Sequence, residues 1–395
     1  MLLTALAFTA QARAGRCGAD LCVGPSFALK HPSQAAAQAE NGQSIGIAAG
    51  VYKNDVAIFR QNNLTIRGVG GYARLHVDGG VSAEGKAIWV IKGNNTTIER
   101  VEFSGTHVPD KNGAGIRLEG THLRLRRCYF HDNENGVLTG KNLASDIVIE
   151  QSEFFGGGEP GGSAHGIYVG EVRSFTLRFN YFHHARFGHL VKSRAHSNYI
   201  MYNRIMDEAD GKASYAIDLP NGGLGVIVGN LIQQGPHQEN DALIAFGAER
   251  ASGSHPVQEL YVVNNTLVND AATGRFVFAP YPATKITLLN NIFAGPGTRY
   301  ATHLGGAPID YGNVTVQRGE FVNGAAFDYR LKARSKAVNA GAALPSIRGV
   351  KLKPAFEYAH KARSAPRKVR GALDAGDEHL GRALLQLTYQ AYLDR

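Results

Sequence analysis

Short apolar segments recur along the chain at nearly constant spacing. Each segment ends in an apolar anchor residue, and successive anchors lie 27, 24, 28, 23, 27, 35 and 26 residues apart. The anchors are Phe103, Phe130, Phe154, Phe182, Ile205, Ile232, Leu267 and Phe293. A repeat of this length cannot bury its apolar side chains alone and must stack on its neighbours. The pattern therefore predicts a parallel β-helix with one coil per repeat.

An asparagine stands two positions before the anchor in five consecutive coils. These residues are Asn180, Asn203, Asn230, Asn265 and Asn291. In the earlier coils the same place is taken by Val101, Cys128 and Ser152. Asparagine also marks turns, but five residues at one register favour a stacked ladder whose amides hydrogen-bond along the axis.

The second strand of each coil predicts which side chains face the solenoid interior. Because side chains alternate along a strand, the apolar positions assign the inward column and their neighbours the outward one. The inward residues are Ile116, Val137, Ile167, Val191, Ile217 and Ile244. The outward residues are Arg117, Leu138, Tyr168, Lys192, Asp218 and Ala245. Arg194 is also outward by alternation, so we expect an exposed polar strip over the central coils.

The two ends of the chain differ from the repeat. An apolar run followed by an A-x-A pattern predicts a signal peptide over residues 1–14, although an ordinary apolar terminus has the same pattern. The β-helix is predicted over 15–343, with an alanine-rich helical cap within 31–43 that begins after Ser33. Residues 344–395 are interpreted as a basic extension with a terminal helix. Outside the N-terminal run, no segment approaches the roughly 18 apolar residues of a membrane span.

Charge and cysteine content indicate the compartment and the partner. The formal net charge is +9, which favours a polyanionic partner, although part of the excess lies in the C-terminal tail. Cys17 and Cys22 are close enough to bridge in an oxidising compartment, whereas Cys128 is expected to be a buried hydrophobe. We therefore predict a periplasmic or secreted monomer that binds an acidic polysaccharide and no nucleic acid.

Beyond the repeat, two stretches carry a family resemblance. The opening "GQSIGIAAGVY" and the segment "FDYRLKARSKAVNAG" at 327–341 resemble the right-handed parallel β-helix superfamily of pectate lyases, polygalacturonases, alginate lyases and uronan epimerases. The resemblance covers roughly residues 31–342. It implies an all-β, single-stranded right-handed parallel β-helix solenoid and an activity on carbohydrates.

The stretch "LVKSR" is similar to the catalytic strand of the family 6 polysaccharide lyases, which includes alginate lyases and chondroitinase B. The resemblance implies that Lys192, followed by Ser193, is the base. The family's arginine acid on the next rung is absent, because Asp218 and Asn221 stand there. The resemblance also raises Ca²⁺ as a candidate cofactor, but "RFGHL" replaces the family's acidic pair. We predict no protein metal site from the residues themselves.

The chemistry of β-elimination matches part of the outward cluster. A lyase must neutralise the uronate carboxylate, remove the C5 proton and protonate the departing O4 oxygen. A cation such as Arg194 favours the neutral lysine that can act as a base. The catalytic candidates are Lys192, Arg194, Tyr168, Asp218, His165 and His189. The candidates for substrate binding are Arg117, Arg186, His184 and Asn221.

The sequence is also compatible with three other functions. A uronan C5-epimerase shares the proton abstraction with a lyase. A polygalacturonase-like hydrolase needs two carboxylates, which Asp218 could form with Asp207, Glu208 or Asp210. The chain could also be a noncatalytic solenoid that binds polysaccharide, with Lys192 and Arg194 as solvated surface charges. The sequence favours an exported polysaccharide lyase that acts on a uronate-containing polymer.

Overall fold

The computed structural model describes residues 17–160, 164–249, 255–302, 307–344, 346–347, 350–352 and 354. The predicted signal peptide and terminal helix lie outside these residues. Over the described range the chain forms a right-handed parallel β-helix, as the repeat and the resemblance predicted. Long stacks of parallel strands line its three faces.

The first face is a ten-stranded parallel sheet that carries the predicted outward column. Its strands are Ala57–Phe59, Ala87–Ile91, Ala114–Leu118, Asn135–Thr139, Ile167–Val169, Val191–Ser193, Ile217–Leu219, Ala242–Phe246, Arg275–Ala279 and Thr298–Thr302.

The second and third faces join through two long strands, Ser44–Lys53 and Thr65–His76, and the short strand Leu21–Val23 extends this sheet. The second face contains Thr96–Glu99, Leu123–Arg126, Asn142–Glu150, Val172–Arg178, Ser197–Met201, Gly223–Val228, Gln258–Val263, Lys285–Leu289 and Ile309–Tyr311. The third face contains Val101–Ser104, Tyr129–His131, Glu153–Phe155, Tyr181–His183, Arg204–Met206, Leu231–Gln234, Thr266–Asn269, Ile292–Ala294 and Val314–Val316.

The anchor residues form one buried column on the third face, in the register that their spacing predicts. In the N-terminal half the column is aromatic. The rings of Phe103, Phe130, Phe154 and Phe182 stack nearly parallel, with centroids 5.1, 4.8 and 4.5 Å apart. One phenylalanine per coil thus stacks on the next at about the spacing of paired strands and fills the interior.

The predicted asparagine ladder is present. The side-chain oxygen of Asn180 accepts from the main-chain N–H of Ser152. From Asn203 onward, each side-chain oxygen accepts from the main-chain and side-chain N–H groups of the asparagine one coil earlier; Asn203 Oδ1, for example, lies 2.9 Å from Asn180 N and 3.0 Å from Asn180 Nδ2. The ladder runs through Asn203, Asn230, Asn265 and Asn291 and continues to Asn313, which the repeat alignment did not include. Because every amide is partnered, the interior carries polar side chains without leaving them unsatisfied.

The N-terminal end is closed by the helix Pro32–Gln38, whose buried alanines Ala35 and Ala36 join the core. The prediction that Ser33 caps this helix was wrong, because His31 is the N-cap residue. Pro32 occupies the first helical turn, where its missing N–H costs nothing. Ser33 instead donates to the carboxylate of Asp55, with the Ser33 main-chain N 3.0 Å from Oδ2. The cap therefore forms as predicted with a different first residue.

Two cysteine predictions are confirmed. Cys17 and Cys22 form a disulfide that ties the segment before the first strand to that strand, Leu21–Val23, and Cys128 is a buried free cysteine. Among the described residues, no helix combines the length and apolarity needed to cross a membrane.

The last described segments pack on the outside of the coils. A short 3₁₀ turn, Arg318–Glu320, precedes the antiparallel pair Phe321–Asn323 and Asp328–Leu331, and a second turn, Gly324–Ala326, connects that pair. Phe321 and Tyr329 bury part of the third face, whereas Leu344 and Leu352 pack on the second face. The small pair Ser346–Ile347 and Val350–Lys351 lies between these two leucines in sequence.

Candidate active site

The predicted outward column is present on the first face. Arg117, Leu138, Tyr168, Lys192, Asp218 and Ala245 pair rung by rung across adjacent strands. Lys192 and Asp218 are therefore direct neighbours, and Tyr168 lies one rung before Lys192. This register follows from the inward apolar residues, since a shift by one residue would turn the whole column inward.

The expectation of an exposed strip was wrong at the centre of this column. The side chain of Lys192 is only 9% exposed and that of Asp218 only 2%. The reason is a second layer of polar side chains on the solvent side of Lys192. Glu249 contacts Lys192, and Arg194 contacts Glu249; these two side chains are 48% and 23% exposed. The interpretation of Lys192 as a solvated surface charge does not fit this burial.

Glu249 connects the two cations. Lys192 Nζ lies 2.8 Å from Glu249 Oε1 and 3.3 Å from Asp218 Oδ2. Arg194 binds the second oxygen of Glu249 through Nη2. Arg194 also donates from Nε to the phenolic oxygen of Tyr168 at 2.8 Å and from Nη1 to Asn221 Oδ1 at 2.5 Å. A single carboxylate is thus held by an ammonium and a guanidinium together.

Sequence reasoning missed Glu249. It follows the strand Ala242–Phe246, whose Ala245 occupies the next rung after Asp218, but it lies 57 residues beyond Lys192 in the chain. The available signal was the acidic residue just after a strand of the column. The contact between Glu249 and Lys192 depends on the residues that directly follow the strand, and their conformation is not encoded in the strand pattern.

Two of the predicted histidines form a stack beside the cluster. The rings of His165 and His189 are parallel with centroids 4.7 Å apart, and Tyr215 stacks on the other side of His189. The main-chain N–H of Tyr215 donates to His189 Nδ1 at 3.1 Å, and the N–H of His189 donates to His165 Nδ1 at 3.0 Å. Since both Nδ1 atoms accept, each neutral ring carries its proton on Nε2. His189 Nε2 therefore points its proton at Asp218 Oδ2, 3.3 Å away.

Burial and the local charges shift several pKa values in this cluster. Burial lowers the pKa of His189 to about 3, and the cations Lys192 and Arg194 act in the same direction. Burial likewise lowers the pKa of His165 well below its usual value. Both rings are therefore neutral at physiological pH and support the cluster through hydrogen bonds and stacking.

The two carboxylates shift in opposite directions. Burial raises the pKa of Asp218 to about 6, although Lys192 opposes this shift. Burial also acts to raise the pKa of Glu249, but hydrogen bonds from Lys192 and Arg194 outweigh it and hold the value at about 2. In addition, Asp218 Oδ1 is buried without a hydrogen-bond partner among the described residues. The charged form of Asp218 is therefore destabilised in the folded protein, whereas the charged form of Glu249 is stabilised.

The other predicted binding residues are spread more widely. Asn221 joins the cluster through Arg194. Arg117 stands in the same column, but Leu138 and Tyr168 separate it from Lys192. Arg186 pairs with Asp132 at 3.8 Å, and His184 lies 3.2 Å from Asp210. The structure therefore brings together Lys192, Arg194, Tyr168, Asp218, Asn221, His165 and His189, and places the remaining three elsewhere on the molecule.

The carboxylates considered for a hydrolase have structural partners. Asp207 is buried, and its two carboxylate oxygens accept from the main-chain N–H groups of Ala213 and Gly235. Burial raises the pKa of Asp207 to about 7. Glu208 accepts from the hydroxyl of Tyr181. Both acids therefore stabilise the turn that leaves the third face.

The site does not fit the calcium ion that the family resemblance raised. Ca²⁺ binds six to eight oxygen ligands. Here the carboxylates of Asp218 and Glu249 both contact Lys192 Nζ, so an ion would have to replace the ammonium. We therefore derive no step through a metal at this cluster.

No protein-family model matches the chain, and no curated protein matches its sequence. Solved structures do show similarity. Pectate lyase Pel9A aligns with a TM-score of 0.47 and 14% identity over 81% of this chain and 89% of its own. An alginate lyase from Paenibacillus sp. str. FPU-7 gives 0.44 and 16%, covering 70% of this chain and 95% of its own. ORF18 of Geobacillus virus E2 gives 0.41 and 13%, with 74% and 58% covered.

Proposed function

We propose that this protein is an exported polysaccharide lyase that cleaves a uronate-containing polymer by β-elimination at the Lys192 cluster. The observation that carries the proposal is the Glu249 carboxylate, which Lys192 and Arg194 hold together. A site that binds one carboxylate through an ammonium and a guanidinium can bind another, and every uronate residue presents one at C5. The net charge of +9 also attracts an acidic polymer.

Substrate binding in this proposal replaces Glu249 with the uronate carboxylate. Glu249 is the most exposed charged member of the cluster, at 48%, so it can turn away without opening the core. Arg194 and Asn221 then bind the uronate carboxylate and stabilise the negative charge that develops on it. When the substrate displaces Glu249, Lys192 keeps only one of its two carboxylate partners, Asp218.

The proposed proton transfers use the remaining residues of the cluster. Lys192 Nζ removes the C5 proton, the C4–O4 bond breaks as the C4–C5 double bond forms, and Tyr168 protonates O4. Arg194 already donates to the Tyr168 oxygen, so the phenolic hydrogen remains for another acceptor. Asp218, His189 and His165 act as positioning residues: Asp218 holds Nζ, His189 orients Asp218, and His165 supports the ring of His189.

The test is product formation by the full chain. We expect a panel of polygalacturonate, alginate and glucuronan to include a substrate that yields the ultraviolet absorbance of an unsaturated uronyl end.

Lys192→Ala should lower kcat about 10² to 10⁴-fold, the range for loss of a general base. Arg194→Lys should raise KM because a lysine cannot reproduce the guanidinium's contacts. Lys285→Ala, a change of an exposed lysine on the second face, is the matched control.

The alternatives give different products. New reducing ends without the chromophore would indicate a hydrolase, and solvent proton exchange at C5 without cleavage would indicate an epimerase. Binding without either reaction would indicate a noncatalytic solenoid. Full activity of Lys192→Ala on the true substrate would exclude the proposed base.

A further inference from the structure

A second group of polar side chains lies beside the cluster, at the corner between the first and second faces. Glu171, His196 and His255 each offer one ligand atom, and these atoms lie within 4.8 Å of one another. Glu171 Oε1 is 3.6 Å from His196 Nε2, and the rings of His196 and His255 have centroids 3.9 Å apart. The three residues come from separate coils, so only stacking of the solenoid brings them together.

The orientation of His255 is fixed by the main chain. Its Nε2 lies 3.0 Å from the carbonyl oxygen of Arg194, and a carbonyl oxygen only accepts hydrogen bonds. Nε2 must therefore carry a proton, which leaves Nδ1 with a free lone pair in the neutral ring. A metal-bound imidazole has this arrangement, in which one nitrogen coordinates and the other donates to a carbonyl or carboxylate. His255 is also 4% exposed and so already desolvated.

The second histidine of the group, His196, has a ring nitrogen without a hydrogen-bond partner among the described residues. This nitrogen, Nε2, is enclosed. The 3.6 Å separation from Glu171 Oε1 is too long for a hydrogen bond. An enclosed nitrogen without a partner costs free energy, and a cation between these two atoms would remove that cost. Zn²⁺ binds histidine nitrogen and carboxylate oxygen at about 2.0 to 2.2 Å, which is compatible with ligand atoms this far apart.

Another His/Glu group in the described residues lacks these features. His183, His184 and Glu208 also place ligand atoms within 4.8 Å. Their atoms are occupied, however: His183 Nδ1 contacts His184 Nδ1 at 2.8 Å, His183 Nε2 lies 3.3 Å from Glu153, and Glu208 accepts from Tyr181. The atoms of that group therefore contact one another or neighbouring side chains, whereas the group at the corner leaves His196 Nε2 without a hydrogen-bond partner among the described residues.

We infer that Glu171, His196 and His255 bind one divalent transition-metal ion of the zinc class, with a fourth position open to water. The ion would link three coils and, through His255, hold the Arg194 main chain. Lys141 is the competing cation, because its Nζ lies 2.6 Å from the second oxygen of Glu171. The site therefore differs from the Lys192 cluster in residues and in ligand chemistry, and it does not depend on the proposed lyase activity.

The test measures metal binding to the full chain after chelator treatment and dialysis. Calorimetric titration with Zn²⁺ should show one site, and Co²⁺ should give the visible absorption of a four-coordinate nitrogen and oxygen site. Glu171→Gln and His255→Ala should each weaken Zn²⁺ binding more than about 10-fold. Lys141→Met should tighten it several-fold, because the competing ammonium is gone. His184→Ala, in the other His/Glu group, is the matched control and should change nothing.

Opposite results would overturn the inference. Absence of Zn²⁺ binding in the wild-type protein would do so directly. Binding that His184→Ala removes but Glu171→Gln retains would assign the ion to the other group. Circular dichroism establishes that each variant is folded; if His255→Ala does not fold, the nearly isosteric Glu171→Gln and the opposite shift of Lys141→Met decide the question.

Discussion

Two arrays of buried polar side chains run along this solenoid, one inside its wall and one outside. The inner array is the asparagine ladder, in which every amide is neutral and every step repeats the last. The outer array, around Lys192, is charged and does not repeat, and among the described residues Asp218 Oδ1 has no hydrogen-bond partner. Lys192 and Asp218 are buried like the ladder amides, whereas Arg194 and Glu249 are partly exposed. The difference shows that burial alone does not mark a site: a satisfied neutral array stabilises the fold, whereas a strained charged one is suited to chemistry.

The largest effect is expected from breaking the inner array. Asn230→Ala removes the acceptor of two Asn203 N–H groups and the donor to Asn265. Since at least one main-chain N–H is then buried without a partner and a cavity remains, we expect the free energy of unfolding to fall by about 3 kcal/mol. Urea denaturation measures this loss.

The comparison variant is Ser152→Ala, whose hydroxyl occupies the same column, accepts the N–H of Cys128 and donates to the carbonyl oxygen of Glu150. We expect a loss of about 1 kcal/mol there. Equal losses at both positions would contradict the view that the amides act as a connected ladder.

The charged array should destabilise the protein in a defined pH window. The pKa of Asp218 is about 6 in the folded chain and about 3.9 when unfolded. Between these values the folded state holds a proton that the unfolded state has lost, so stability falls as pH rises. Relative to Asp218→Asn, the wild-type protein should lose about 2 kcal/mol between pH 4 and pH 6.5.

Denaturation of both proteins across that window measures the difference, which cancels contributions from other groups such as Asp207. Parallel pH profiles for wild type and Asp218→Asn would show that Asp218 is not strained, and the contrast between the two arrays would disappear.

A smaller effect tests Glu249 as the internal carboxylate. Glu249→Gln removes a charged competitor from Lys192 and Arg194 while preserving shape. If the uronate carboxylate takes its place, KM for a short uronate oligomer should fall several-fold, about 1 kcal/mol, and the decrease should be greatest at low salt. A raised KM would mean that Glu249 organises the cations for substrate and does not compete with it. The matched control is Glu239→Gln, at an exposed position.

The smallest effect is expected at the edge of the outer array. Arg117 lies in the same column as Lys192, with Leu138 and Tyr168 between them. Arg117→Ala should raise KM for a long polymer about twofold and leave KM for short oligomers unchanged, because a distant cation contacts only an extended substrate. A large loss with short oligomers would move the centre of the site toward Arg117.

Much of the fold could be predicted from the repeat, because each coil must bury its apolar side chains against its neighbours in the same way. The anchors and the asparagines recur at fixed offsets, and one register satisfies all of them. The alternation of Val191, Lys192 and Ser193 likewise assigned Lys192 to the outside. The site was only partly predictable. Its burial depends on Arg194 and Glu249 as a covering layer, and no periodic signal describes a loop.

The sequence by itself determined the parallel β-helix, the register of the outward column and the pairing of Lys192 with Asp218, because local alternation and the spacing of the repeats are sufficient for these. Only the tertiary structure decided that Glu249 bridges Lys192 and Arg194, and that Glu171, His196 and His255 meet at one corner. These contacts join residues from separate coils, and their distances depend on loop paths and stacking. Both groups therefore form where successive coils carry different residues at the same position, since a strictly periodic coil would place only like residues side by side.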